Sequence, residues 1–143
     1  MVATLLFCQL VLKDIETTYN SVCFDPVGGH IAAAADDGKV HVWDVVTQKL
    51  VAAIRYAAEG EDNICHLSWS PDGVSLAVPT DDGVRVLIRS GSDWKDGFLL
   101  AKGQVIKFCA WSSCGRKIAL GGQEEVHCSL CAFLMCAIGY ACA

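Results

Sequence analysis

The sequence predicts an all-β protein built from about three copies of one four-stranded antiparallel unit. Three observations lead there. Turn motifs punctuate the chain at matching places: Asp36-Asp37-Gly38, Ser70-Pro71-Asp72-Gly73 and Asp81-Asp82-Gly83. Proline presets φ, aspartate caps its own backbone, and glycine takes the left-handed conformation without steric cost. Between the turns lie short runs in which Val84, Val86 and Ile88 alternate with Arg85, Leu87 and Arg89. An aromatic residue also recurs, with 45 residues from Phe24 to Trp69 and 42 from Trp69 to Trp111. A period of roughly 40–45 residues with four strands per unit is the signature of β-propeller blades. A ring takes roughly 4–8 blades, so three units with the last incomplete leave it open. The expectation is a fragment of a longer protein, or a product that folds poorly alone because its edges are unpaired.

Residues 2–12 are apolar and uncharged. No basic residues precede them, as a secretory signal requires, and eleven residues fall short of the roughly 20 needed to span a bilayer as a helix. They read as a buried strand or a non-native lead, so residues 1–18 are set apart from the blades. Residues 13–20 read as a polar connection. The first clear repeat covers residues 21–44, with Phe24-Asp25-Pro26 standing where Trp69-Ser70-Pro71 stands later. A second strand comes next at residues 31–35. Val40, Val42 and the Trp43-Asp44 pair close the third, and residues 50–54 make a fourth. Residues 56–62 form a polar loop. The second repeat begins at Asn63 and ends its third strand in Ser90-Gly91-Ser92-Asp93, before Trp94 and a short apolar run at residues 98–101. The third begins near Val105 and matches the others through its second strand.

After Glu125 the pattern fails. Residues 126–143 carry no formal charge. Val126 and Cys128 still alternate as a third strand should, but the remaining residues fit an unusual buried strand, a tail anchor, or sequence foreign to the fold. The blades are therefore assigned to residues 19–128, and residues 129–143 form an apolar, cysteine-rich tail.

Composition narrows the class. With 53% apolar and 19% charged residues the chain can bury a core. A net charge of −5 without a basic run argues against direct DNA binding by this segment. Nine cysteines is a high and odd count, and four of them (Cys128, Cys131, Cys136, Cys142) crowd the end. Cys23, Cys65 and Cys109 fall in predicted strands, where a small buried hydrophobe fits. That pattern suggests reduced thiols in an intracellular, reducing compartment rather than a disulfide framework.

Catalysis finds little support. His30, His41, His66 and His127 lie at turns or strands, and none pairs by spacing with a nucleophile and an acid. Asp36-Asp37 and Asp81-Asp82 sit in hairpin turns, where capping backbone amides explains them better than acid–base work does. Cys128-x-x-Cys131 lacks a second ligand pair, so no metal is expected, and no cofactor. The fixed repeat positions are Phe24, Trp43, Asp44, Trp69 and Trp111, and blade packing explains the tryptophans better than ligand stacking. Trp94 is off-pattern, and packing is favoured for it too. Docking residues on a propeller sit on rim loops, which nominates Glu59-Gly60-Glu61-Asp62 and residues 90–95.

The Trp43-Asp44 pair, the aspartate–glycine hairpins and the period resemble WD-repeat proteins. More narrowly, Ile64-Cys65-His66-Leu67-Ser68-Trp69-Ser70-Pro71, then Leu76-Ala77-Val78-Pro79 and Val84-Arg85-Val86 with Trp94 beyond them, resemble one particular blade. It belongs to the N-terminal propeller of the replisome-adaptor family called acidic nucleoplasmic DNA-binding protein, WD repeat and HMG-box DNA-binding protein, or chromosome transmission fidelity factor. The flanking blades there are similar to residues 22–44 and 110–119. The resemblance implies a nuclear, non-enzymatic scaffold linking the replicative helicase to DNA polymerase alpha, with DNA or chromatin association through the full-length family member. The second propeller, the trimer-forming helical region and the HMG box of that family are absent here, so none of its functional residues is carried over. Two alternatives stand beside it: a WD-repeat substrate receptor or signalling scaffold unrelated to replication, and a tail-anchored membrane protein using residues 126–143.

Overall fold

The computed structural model describes residues 11–12, 16–57, 66–122 and 126–130. Three antiparallel sheets succeed one another along the chain. The first blade is β1 (Tyr19–Phe24), β2 (His30–Ala35), β3 (Lys39–Asp44) and β4 (Leu50–Arg55), paired in sequence order. The second is β5 (Ser68–Trp69), β6 (Ser75–Thr80), β7 (Gly83–Ser90) and β8 (Asp93–Leu100), again in order. The third pairs β9 (Ile106–Trp111), β10 (Lys117–Gly122) and β11 (Val126–Leu130). No helix forms among the described residues, as the short alternating runs require.

Each blade opens with the same corner. The N–H of Asp25, Ser70 and Ser112 donates to the carbonyl of His30, Ser75 and Lys117, five residues on, at 3.0, 2.8 and 2.9 Å. Gly28, Gly73 and Gly115 close the turn by donating back to the carbonyl of Asp25, Ser70 and Ser112. All three have φ near +70°, at 74°, 71° and 69°, which a side chain would strain. Side chains finish the corner: Ser70 Oγ accepts the Ser75 N–H at 2.9 Å, and Ser112 Oγ accepts the Lys117 N–H at 3.0 Å.

The blades stack face to face, and two apolar layers hold them. The layer between the first two blades joins Ala32, Ala34, Val40 and Val42 to Leu67, Trp69, Leu76, Val78 and Leu87. The next joins Ala77, Val84 and Val86 to Ile106, Ile118 and Leu120, with Cys109 and Trp111 packed on it. Because side chains alternate along a strand, β6 feeds both layers, Leu76 and Val78 to one side and Ala77 to the other. The middle blade is therefore buried on both faces. Corners add a contact of their own: Pro26 lies 3.6 Å from where a Cβ on Gly73 would stand, and Pro71 lies 3.6 Å from the same point on Gly115.

Several details differ from the sequence reading. Tyr19 and Asn20 belong to β1, not to a polar connection, because Tyr19 pairs with Ala35 across a bulge. Tyr56 follows β4 in the loop but is buried, 5% exposed, and its hydroxyl donates to the Ala35 carbonyl at 3.3 Å. Residues 90–95 form no rim loop, since β8 begins at Asp93 and only Gly91-Ser92 turn. The second blade's central hairpin is also tighter than the first. Thr80 pairs with Gly83 and Pro79 with Val84, which leaves Asp81-Asp82 alone as the loop and places Gly83 in β7. In the first blade Ala34 pairs with Val40, and the loop is correspondingly longer. Residues 1–10 of the lead, the loop at 59–62, Ile64, Cys65 and residues 131–143 of the tail lie outside the described residues. No helix among the described residues is long and apolar enough to cross a membrane, and residues 126–130 are a strand.

Candidate functional site

The repeat positions resolve into two sets. Phe24, Trp69 and Trp111 each end the first strand of a blade. Trp43 lies instead on a third strand, opposite Ile31. Trp69 is buried in the first layer, and Trp94 meets it edge-on with ring centroids 5.4 Å apart. Trp43 is 3% exposed and meets Tyr19 and His41 edge-on at 5.5 and 5.7 Å. Phe24 is 61% exposed, because the face it occupies is the one turned away from the second blade. Asp44 caps the next turn, accepting from the Thr47 N–H at 2.7 Å and the Thr47 hydroxyl at 3.0 Å. Those bonds hold its carboxyl below the usual value.

The histidines are engaged structurally. His41 is fully buried, with Nε2 3.2 Å from Asp37 Oδ2 and Nδ1 3.2 Å from the Tyr19 hydroxyl. Asp37 Oδ1 also accepts the Lys39 N–H at 3.0 Å, so the group ties the hairpin turn to β1. His30 Nδ1 lies 3.1 Å from Asp25 Oδ2. Burial alone would raise the Asp25 carboxyl, but hydrogen bonds from the His30 ring and from the His30 and Gly29 amides outweigh it and hold it low. His66 stacks on Phe108 with centroids 4.7 Å apart. The His127 side chain and the Cys128-x-x-Cys131 pair lie outside the described side chains. Among the described residues no group of three or more His, Cys, Asp or Glu could hold a metal ion.

Cys114 is a residue that sequence reading passed over. It takes the place of Asp72, whose Oδ1 is bonded to the Ser70 hydroxyl and accepts the Val74 N–H. Ser112 Oγ lies 3.3 Å from the Cys114 sulfur, and that bond, with those from the Arg116 amide and guanidinium, lowers the thiol to about 7. The Cys114 thiol thus takes at the third corner the place that the Asp72 carboxylate takes at the second. The alignment of Ser112-Ser113-Cys114-Gly115 with Ser70-Pro71-Asp72-Gly73 held this signal. Cys23, Cys109 and Cys114 are not disulfide-bonded.

What remains open is surface. A cleft of about 320 Å³ between the first two blades is lined by Tyr56, Ala57, Thr80, Asp81, Asp82, Arg85 and Leu99. Its charges are largely paired, Arg85 with Asp96 at 3.2 Å and Asp81 with Lys107 at 2.9 Å. Exposed pairs of this kind contribute little to stability. The exposed apolar side chains include Val22 and Phe24 on the first blade and Phe108 and Val126 on the third.

These stacked antiparallel sheets have the architecture of β-propeller blades, and residues 8–44, which hold the Trp-Asp pair closing a third strand, match the family model of the WD domain, G-beta repeat. The fold agrees with solved WD40 structures. RRP9 WD40 repeats and U3-55K each superpose with a TM-score of 0.72 at 16% identity, covering 87% of this chain and 38% and 39% of theirs. Among curated proteins, the chain is 26% identical over 81 residues to ribosome biogenesis protein ERB1 of Ajellomyces capsulatus. It is 30% identical over 86 residues to that of Candida glabrata. Each match covers 57% of this chain, which spans only about a tenth of the relatives' length, 10% and 11%. These relatives are named for ribosome biogenesis, so the narrower resemblance to replisome adaptors has no counterpart among them.

Proposed function

We propose that this chain is part of a non-enzymatic WD-repeat scaffold on which proteins of a nuclear assembly dock, its blades occupying residues 19–128 between two flanking segments. One observation carries the reading. The polar groups with catalytic potential, His30, His41, Asp25, Asp37, Asp72 and Asp82, are engaged in hairpins and corners, while apolar sheet faces stay exposed. Contiguous exposed apolar surface marks protein interaction sites.

The assembly we set first is the replication fork, with the replicative helicase and DNA polymerase alpha as partners. Its support is the resemblance of residues 64–71, 76–79 and 84–86, with Trp94 beyond them, to one blade of the replisome-adaptor family. Pro79 is fully buried in β6, an inner strand where proline is ordinarily excluded, and Trp94 packs on Trp69. The second reading is ribosome assembly, favoured by the names of the curated relatives. Affinity purification of the endogenous protein from nuclei, with mass spectrometry of the bound fraction, separates them. Helicase and polymerase alpha subunits support the first, and pre-ribosomal factors support the second. Ubiquitin-ligase or trafficking subunits in place of both would leave a scaffold of another kind, and a protein recovered without partners would overturn the scaffold reading.

A further inference from the structure

The cleft between the first two blades has two walls, each fixed by its own blade. On one side the chain leaves β4 at Arg55, and the Tyr56 and Ala57 N–H groups donate to the Gly38 carbonyl at 2.9 and 3.2 Å. Those bonds hold this wall on the first hairpin. On the other side Arg85 pairs with Leu99 across β7 and β8, and alternation puts Arg85 on the same face of β7 as Leu87 of the inter-blade layer. The cavity of about 320 Å³ described above continues into a shallower one of about 420 Å³, lined by Arg55, Tyr56, Ala57 and Arg85.

The two ends of this cleft differ in what their charges still lack. The acidic end is satisfied: Asp81 holds Lys107 at 2.9 Å, and Asp82 accepts the Gly103 N–H at 3.0 Å. The basic end is not. Arg55 is exposed and reaches only the Ala57 carbonyl, at 3.5 Å, and no carboxylate among the described residues pairs with it. Arg85 meets Asp96 at 3.2 Å, but the two side chains are 42% and 63% exposed, and so exposed a pair exchanges partners at little cost. Two guanidiniums thus flank a floor made by Tyr56, Ala57 and Leu99.

We infer that this cleft takes an acidic, partly apolar peptide segment of a protein partner, with one carboxylate seated between Arg55 and Arg85 and an apolar neighbour against Leu99. Arginine forks bind carboxylates through parallel hydrogen bonds, and arginine clusters are a recurring means of recognising acidic motifs. A phosphate group would also meet arginine, but its charge of roughly −1.5 to −2 would face Asp81 and Asp82 along the same cleft. A singly charged carboxylate meets less of that repulsion. The inference rests on the scaffold reading above and adds to it the place and chemistry of one docking contact.

A peptide array probed with the full 143-residue chain tests it, each apolar peptide carrying glutamate, glutamine, lysine or phosphoserine at the varied position. Retention by the glutamate peptides is expected to exceed that by the glutamine ones roughly tenfold or more, as a charge-assisted pair provides. The double variant Arg55→Glu, Arg85→Glu should lose the glutamate peptides and gain the lysine ones, a reversal that misfolding does not produce. Arg89→Glu, at the far end of β7, should keep the wild-type preference. Should circular dichroism show that the reversed variant has lost its β signal, Arg55→Gln with Arg85→Gln replaces it and should retain glutamate and glutamine peptides alike. Equal retention of the two by the wild-type chain, a preference for phosphoserine, or a preference unchanged in the double variant overturns the inference. In that event the affinity purification described above still decides the scaffold reading by itself.

Discussion

Replacing Gly83 with alanine is expected to destabilise the chain by about 3 kcal/mol or more, from backbone strain and overpacking together. Gly83 has φ +118°, and a Cβ there would stand 2.3 Å from the Leu100 carbonyl oxygen and 2.9 Å from that of Ala101. Both obstacles are backbone, so neither can swing aside. The tight hairpin would have to open to the longer form seen in the first blade, moving β7 by one position. That shift would turn Val84 and Val86 away from the second apolar layer. Urea unfolding monitored by tryptophan fluorescence measures the loss. Gly91→Ala is the internal control, because its φ is +65° but nothing lies within 4 Å, and only the left-handed strain of about 1–2 kcal/mol is expected.

Leu76→Ala is expected to cost about 2–5 kcal/mol, the range for a large buried aliphatic truncated where the surroundings relax only partly. Leu76 is fully buried and pairs with Trp69 on one side and Leu87 on the other. Its loss would open a void at the centre of the first inter-blade layer. Val27→Ala, at a residue 89% exposed on a turn, should change the urea midpoint by no more than about 0.5 kcal/mol equivalent. Equal effects at the two positions would mean that the inter-blade layer does not hold the fold.

The fold was legible because each blade states its own grammar. The corner needs a glycine with positive φ and a side-chain acceptor five residues before the next strand, and Asp25, Ser70 and Ser112 with their glycines supply both in plain sequence. The alternation of Val84, Val86 and Ile88 with Arg85, Leu87 and Arg89 likewise announced β7. Register was not legible. Asp36-Asp37-Gly38 and Asp81-Asp82-Gly83 read alike, yet one glycine closes a turn and the other sits in a strand. The difference comes from pairing across the hairpin, which the three turn residues do not encode. The burial of Tyr56 was hidden for a related reason: it opens a polar run, and its packing in the first inter-blade layer and its bond to the distant Ala35 carbonyl come from tertiary structure.

The interaction surface was least legible of all. Phe24 and Trp69 hold the same place in the repeat, but one is 61% exposed and the other 8%. Trp69 packs in the layer between the first two blades and Phe24 faces away from it, and no local pattern records that. Cys114 shows the opposite case, where a residue that looks foreign to its motif performs the motif's capping role through a thiol lowered to about 7.

The central claim is that three blades stack with the middle one covered on both faces, and hydrogen exchange tests it most directly. The slowest exchange is expected in β6 and β7, whose residues feed both apolar layers, and faster exchange in the outer strands β4 and β8 and in the exposed stretches of β1 and β9. Protection that is greatest in the first or third blade, or that is the same along all three, would contradict the stacked-blade account.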